Sequence, residues 1–484
     1  MEKNDKQLKW VTIALIAFNL VWGLGNVVNN YSQQGISVVT SWVIILVIYL
    51  IPYALIVGQL GATFKQHEGG VTEWISRTST KRLAFFAAWT FWVTQIPYLA
   101  QKAQVILIAL GWVVQGNGDF LSSLATPALV GLELFAFLFL LYLSTKGLKA
   151  LKYLGTLAGA SMLVMSLLFI LLAVALPAIK PDLQLATPHM DQVSTYIPKF
   201  DFTYFTMIAL LVFSVGGAET MSPYVNQVKN PAKEFPKGMI AMVVMVGICA
   251  IFGSFGMAML FDSNHIPADL MRNGAYQAFD VLGQHWHVGR SLVFIYAVTQ
   301  FIGQASVLAL NVDTHMQLFL GSENEEFIPS WLRKRSKKGT LVNGYLLTGV
   351  LVSILIALPL LGLKEIDGIV HWLTNLNAIV LPMSYLWVFV AFFLLYREWD
   401  KYKNAEYVFV KNKKLGFIVG AWGFGFTAFA CILGMFPQVD MASQPTEWWF
   451  AFLTNIITPV VLLALGLILP WIARREKKSL SLNE

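Results

Sequence analysis

Most of this chain can be cut into apolar runs of 18 or more residues, parted by short polar segments. A run of that length, wound as a helix, crosses the roughly 30 Å hydrocarbon core of a bilayer. Charged residues make up only 13% of the sequence, against about 25% in ordinary soluble proteins, and mean hydropathy is +0.63. The expectation is an all-α polytopic membrane protein with 12 transmembrane helices. They fall at about 9–32, 38–62, 83–114, 126–144, 154–178, 201–227, 238–261, 288–318, 341–361, 369–395, 416–436 and 449–472. No stretch reads as a separate soluble domain, so residues 1–484 are expected to form a single transmembrane domain. The first run is too long for a cleavable signal peptide and continues into a second. Cys249 and Cys431 both lie inside apolar runs, which argues against a structural disulfide.

The net charge of +7 would raise the question of nucleic acid in a soluble protein. Its distribution answers that question. With Met1 inside, only Lys180, Lys199, Arg272, Arg290 and Lys364 fall in outer segments, and Lys102 lies within span 3. Every other Lys and Arg falls inside, a strong positive-inside asymmetry that places both termini in the cytoplasm. The basic residues read as topology determinants and anionic-lipid contacts.

Two spans are broken. The apolar run Phe202 to Val215 stops at Gly216-Gly217-Ala218-Glu219-Thr220, and a short second segment follows it. Freed backbone groups and an ionisable side chain are costly in hydrocarbon unless they face a cavity or a partner. This pattern alone fits a substrate site, and it fits equally a glycine kink used for packing with Glu219 hydrogen-bonded to a neighbour. Span 1 tips the balance. Its run Trp10 to Trp22 is broken by Gly23-Leu24-Gly25-Asn26, and spans 1 and 6 cross the membrane in opposite directions. Interrupted helices at matching positions of two inverted halves point to a transporter site near the bilayer midplane. The candidate site is therefore Gly23 to Asn26 with Gly216 to Glu219. Spans 1–5 (9–178) and 6–10 (201–395) would be the two inverted repeats, with helices 11 and 12 (416–472) appended.

Two segments too polar to span and too apolar for free loops read as amphipathic interfacial helices: Gln66 to Arg77, and Pro267 to Leu282. Polar residues inside spans stand out. Gln95, Tyr98 and Lys102 share a face of span 3, and Tyr296, Gln300 and Gln304 a face of span 8. Lys102 and Glu133 both lie in the outer part of their spans and could neutralise each other; Lys102 could equally snorkel to the interface. Asp313 and His315 read as cytoplasmic-end residues of span 8, and span 10 carries Asn375, Asn377, Pro382 and Tyr385. No metal-ligand spacing and no nucleotide-binding loop is found, which argues against an ATP-driven pump.

Gly217-Ala218-Glu219, followed by Lys229-Asn230-Pro231 and Pro236, resembles the sixth-helix signature of the amino acid–polyamine–organocation (APC) superfamily. Gly23-Leu24-Gly25 resembles its first-helix G-x-G. Gly69-Gly70-Val71-Thr72-Glu73-Trp74 resembles its G-G-x-Y-x-W element, with Thr72 where Tyr is usual. Asn26 and Asn29-Asn30 stand where small or apolar residues are commoner. The nearest branches are bacterial amino-acid antiporters, including the glutamate/γ-aminobutyrate group and decarboxylation-coupled exchangers. The resemblance covers the whole chain. It implies a LeuT-like 5+5 inverted repeat with helices 1 and 6 discontinuous, working by alternating access, usually without sodium, in a bacterial inner membrane. By that likeness the backbone amides of Gly23, Leu24 and Gly25 hold the substrate carboxylate, as free N–H groups at a helix start suit an anion. Carbonyls at Phe213, Ser214 and Gly216 would hold the ammonium, and Phe213 would be the aromatic gate.

The function expected is secondary active transport of amino acids, by antiport with another amino acid or amine or else by proton symport. Glu219 and Lys102 are the gating or proton-coupling candidates; Glu219 could exchange a proton or simply pin the unwound segment. A channel would call for a continuous path lined by rings of like residues, and an enzyme for a nucleophile–base or metal constellation; neither pattern is found. A transport-inactive sensor is a different class that the sequence leaves open. The partners expected are a small amino acid or amine and the lipid bilayer, with a homodimer as an open assembly. No nucleic acid, cofactor or metal is expected.

Overall fold

The structure, a computed structural model, describes residues 8–65, 70–145, 149–180, 184–320, 326–336, 341–363 and 365–480. Its helices begin with α1 (Trp10–Val21), α2 (Leu24–Gln34), α3 (Val38–Ile45), α4 (Ile51–Thr63), α5 (Gly70–Thr78), α6 (Lys81–Val93) and α7 (Gln95–Val114). Then come α8 (Asp119–Ser122), α9 (Thr126–Ser144), α10 (Lys149–Ile179), α11 (Phe202–Val215), α12 (Pro231–Leu260), α13 (Leu270–His285) and α14 (Ser291–Phe319). The last are α15 (Val342–Ala357), α16 (Ile366–Val380), α17 (Pro382–Arg397), α18 (Trp399–Tyr402), α19 (Lys413–Gly434) and α20 (Pro445–Leu480). Among the described residues the only strand-like pairings are two isolated bridges, Leu8 with Val228 and Arg335 with Leu341.

Eleven stretches among the described residues are long and apolar enough to cross a membrane. Trp10–Val21 is apolar too, but it stops after 12 residues. The cause is local: Trp22 and Gly23 are extended before α2 begins at Leu24. One of the eleven, Leu24–Thr63, runs for 40 residues. Wound as one helix it would be about 60 Å long, twice the hydrocarbon thickness. It turns at Gly35, whose φ of 58° lies in the left-handed region that glycine enters freely. Between α3 and α4 the helix widens over Leu46–Leu50 into a turn of i to i+5 bonding, a local irregularity that often accompanies functional positions.

Spans 3 and 10 are divided as well, span 3 into α6 and α7 at Thr94. The expected single run 369–395 divides into α16 and α17 at Leu381, directly before Pro382, which has no N–H to continue the ladder. The two segments expected as amphipathic helices do form helices, α5 and α13, although residues 66–69, where the first was expected to begin, lie outside the described residues. The helix α5 packs on α17 and on the tight-helical segment Ala218–Gln227, burying Val71, Trp74 and Ile75 on one face.

The chain forms two compact units, one of residues 1–84, 163–270 and 382–434, the other of 85–162, 271–381 and 435–484. In the first, α1 and α4 pack on α12, while α11 and α17 pack on α19. In the second, α7 is central, and α9, α14, α15 and α16 all pack against it. Lipid-facing spans are recognisable from burial: Ala160–Ile179 is 28% buried, against 67% for Phe202–Ser222. An apolar helix so little covered presents the rest of its surface to acyl chains. In the second unit the Arg272 guanidinium, itself buried, spans from the Asp367 carboxylate (2.6 and 3.2 Å) to the Gly118 carbonyl (2.6 Å), tying α13 to the start of α16.

Candidate functional site

The two broken helices belong to the same unit, and their breaks meet. The first break is extended backbone, with φ/ψ of −106°/142° at Trp22 and −153°/148° at Gly23. Gly23, Leu24 and Gly25 stand at the start of α2, where N–H groups have no partner within the helix. The Asn26 N–H already turns back to the Gly23 carbonyl at 2.9 Å. A Cβ built on Gly23 or Gly25 meets no heavy atom within 4 Å. These glycines are therefore not demanded by packing, and their effect is to leave backbone donors open to approach. Gly25 is exposed, although Leu24, Val27 and Val28 around it are buried.

The second break is made differently. The helix α11 ends at Val215, Gly216 is extended, and Gly217 takes φ 104°, a left-handed conformation costly to any residue with a Cβ. A Cβ on Gly216 would overlap the ring of Tyr385 on α17. So Gly216 is set by close approach and Gly217 by its dihedral angle.

Asn26 joins the breaks. Its side-chain amide donates to the Val21 carbonyl (3.3 Å), at the end of α1, and to the Ser214 carbonyl (3.1 Å), at the end of α11. Asn30, one turn on, donates to the Asn26 carbonyl and to Ser214 Oγ, both at 2.8 Å. Two carbonyls freed by helix interruption are thus met by one side chain. Two buried polar atoms beside them, Trp22 Nε1 and Asn30 Oδ1, have no protein partner among the described residues. An unmatched buried donor or acceptor costs about 1–3 kcal/mol unless a polar group or water meets it. Phe213 is half-buried, with no ring partner among the described residues.

Glu219 is buried, and Tyr53 on α4 donates its hydroxyl to the carboxylate. The backbone N–H groups of Gly217 and of Glu219 itself also lie within reach of it. No ion pair to Glu219 is found among the described residues. Tyr53 stacks on Tyr49 (5.7 Å) and neighbours Tyr385 (5.9 Å) and Phe389 (5.7 Å), while the Tyr49 hydroxyl is 2.9 Å from Thr427 Oγ1. The carboxylate is held by a phenol and backbone amides within an aromatic cluster. Sequence reasoning missed Tyr49 and Tyr53. Their one signal was two phenols at i, i+4 in a mostly apolar span.

The remaining candidates lie in the other unit. Lys102 is half-buried, with Nζ 4.4 Å from the centroid of the Tyr98 ring, a cation–π contact. Glu133 is buried on α9, and no ion pair joins it to Lys102 among the described residues. Gln101 donates to Thr374 (2.9 Å), and Asn377 donates to the Pro97 and Leu373 carbonyls (3.2 and 2.9 Å). Gln300 bonds Tyr296 and Gln304 along one helix face, as their spacing predicts. His315 Nδ1 lies 3.1 Å from the Asn311 carbonyl; the Asp313 side chain lies outside the described residues.

A many-span helical protein whose backbone-open polar centre sits where two apolar helices break has the build of a membrane transporter. The sequence places it further: the amino acid permease family model matches residues 8–462, and the chain belongs to that family. It is 57% identical over 475 residues, 98% of its length and 97% of the relative's, to the aspartate/glutamate permease AcaP of Lactococcus lactis subsp. cremoris (strain MG1363). More distant relatives come from Lactococcus lactis subsp. lactis (strain IL1403). The glutamate/gamma-aminobutyrate antiporter is 22% identical, covering 86% of this chain and 82% of its own. The probable agmatine/putrescine antiporter AguD is 21% identical, covering 73% and 72%.

The close approach at the second break has a direct test. Gly216→Ala should lower the yield of monodisperse protein in detergent size-exclusion chromatography, and Gly216→Ala with Tyr385→Ala should recover most of it. Equal loss in both would mean that Tyr385 does not set the requirement for glycine.

Proposed function

We propose that this protein carries aspartate and glutamate across the bacterial cell membrane by alternating access, exchanging them for another amino acid or an amine. The fold underlying this is a LeuT-like pair of inverted repeats, 9–178 and 201–395, in 12 spans with both termini cytoplasmic. The substrate's α-carboxylate takes the free N–H groups of Gly23, Leu24 and Gly25. Its ammonium group takes carbonyl and side-chain oxygen near Phe213, Gly216 and Asn30, and the half-buried Phe213 ring closes over it. The observation that carries the site is the open backbone at Gly23 and Gly25 beside the Gly216–Gly217 break. The acidic substrate class is supported by the likeness to AcaP over nearly the full chain.

A second reading, proton symport, is favoured by Glu219. A buried carboxyl held by a phenol and without an ion-pair partner among the described residues can gain or lose a proton as the segment moves. The competing role is pinning, since the same bonds hold the start of segment Ala218–Gln227 to α4.

Counterflow in proteoliposomes separates the modes. Antiport predicts uptake of labelled aspartate into vesicles preloaded with unlabelled glutamate or an amine, and almost none into empty vesicles. Uptake into empty vesicles driven by an inward proton gradient would establish symport instead. No uptake of either acidic amino acid in any arm would overturn the substrate assignment.

Glu219→Gln keeps the shape and removes the titration. If Glu219 couples protons, the variant's transport rate should be nearly flat between pH 5.5 and 7.5 while the wild-type rate changes across that range. If Glu219 only pins the segment, the rate should change by one factor at every pH and the wild-type profile should survive.

A further inference from the structure

The first turns of α12 carry a feature outside the transport site. A recess of about 370 Å³ opens there, lined by Asn230 just before α12, by Lys233, Lys237 and Ile240 of α12, and by Glu406 and Tyr407 of the segment before α19. All of these belong to one compact unit. Lys233 and Lys237 are exposed and have no ion-pair partner among the described residues. The acidic groups nearby are already engaged. Glu234 accepts the Trp10 N–H at 2.9 Å, and Glu406 is paired with Lys65 at 2.5 Å. The recess therefore keeps two free ammonium groups, with the half-buried Tyr407 hydroxyl as a further donor.

What lies beyond the lysines defines the ligand. On α12, Ile240, Val244, Ile248 and Phe252 are 49%, 54%, 47% and 46% exposed. At spacings of three and four they continue the ridge begun by Lys233 and Lys237. From Lys237 to Ile248 the ridge rises about 16 Å, close to the depth of one bilayer leaflet. A free inorganic anion would use the lysines and leave the ridge idle. A glycerophospholipid uses both, with phosphate between the lysines and acyl chains along the ridge. Both linking segments are expected on the cytoplasmic side, where basic recesses between spans suit anionic headgroups.

We propose that this recess is a binding site for an anionic glycerophospholipid, with Lys233 and Lys237 as its phosphate ligands. The site touches the transport machinery. The same first turn of α12 holds the start of α1 through Glu234 to Trp10, and just before it the Lys229 N–H donates to the Leu8 carbonyl at 3.1 Å. A lipid held there steadies the helix turn that anchors α1, the first half of the broken span 1.

Native mass spectrometry of the purified full chain, exposed to phosphatidylglycerol or phosphatidylcholine, tests this. The wild type should retain one phosphatidylglycerol and no phosphatidylcholine. Lys233→Gln with Lys237→Gln should weaken retention roughly 25-fold, from about fivefold for each lysine. Lys233→Arg with Lys237→Arg should keep it, and so should Lys413→Gln with Lys414→Gln on α19. Both lysines of the recess point to solvent, so an unchanged melting temperature is expected for every variant. Equal retention by the two Lys→Gln double variants, the one in the recess and the one on α19, would reduce the site to general surface charge and overturn the proposal. Displacement of the lipid by millimolar inorganic phosphate would overturn it too, since the site would then be one for a free anion.

Discussion

Two helices stop within an apolar layer, and the rest of the first unit is arranged to meet the backbone groups they release. A bilayer core supplies no water to spare carbonyls and amides. Asn26 meets two of the carbonyls at once, Val21 at 3.3 Å and Ser214 at 3.1 Å. That leaves the amides at Gly23, Leu24 and Gly25 at the open start of α2, where a Cβ on either glycine would meet no neighbour. The stabilising tie and the proposed binding surface are two outcomes of one constraint. Carbonyls that could be satisfied internally have been, and the unsatisfied remainder is the part suited to an anion.

The second break shows the same division between holding and acting. Gly217 adopts φ 104°, and the Glu219 carboxylate reaches back toward that turn while accepting from Tyr53. These contacts connect the unwound segment to α4, and through Gly216 against Tyr385 to α17. A movement of the segment Ala218–Gln227 would have to break or carry the Tyr53 bond. Under the proposed alternating access, the phenol–carboxylate pair is a contact that such a movement would strain, whether or not a proton moves with it. The helix α5 packs on both α17 and that segment, so it touches both sides of the same break.

Much of this is legible in the sequence, for physical reasons. Apolar runs of bilayer length leave few alternatives to spanning helices, and paired glycines beside polar residues inside such runs have few uses. Gly23, Gly25, Gly216 and Gly217 stand out that way. That α13 is a helix, too polar to be a span, also follows from its mixed polarity. What stays hidden depends on contacts between distant residues. Tyr53 and Glu219 are 166 positions apart, and nothing in either local pattern announces the pair. In sequence Asn26 looks like a departure from a family pattern, and its reach to Ser214, 188 positions away, shows why an amide stands there. Pro382 is visible within span 10, yet the division of that span at Leu381 needs the backbone itself. Lys102 and Glu133 share a depth in the sequence, but depth alone does not set which helix faces meet.

The central claim is that the free amides at the start of α2 hold the substrate carboxylate. The most direct measurement is equilibrium binding of labelled aspartate to purified wild-type and Gly25→Ala protein, with melting temperature recorded for both. A Cβ at position 25 meets nothing in the protein, so folding should be unaffected. The account predicts an unchanged melting temperature and a dissociation constant raised about tenfold or more, the effect of losing roughly 1.4 kcal/mol of a charge-assisted contact. Equal affinity in two equally stable proteins would contradict it and move the carboxylate site elsewhere.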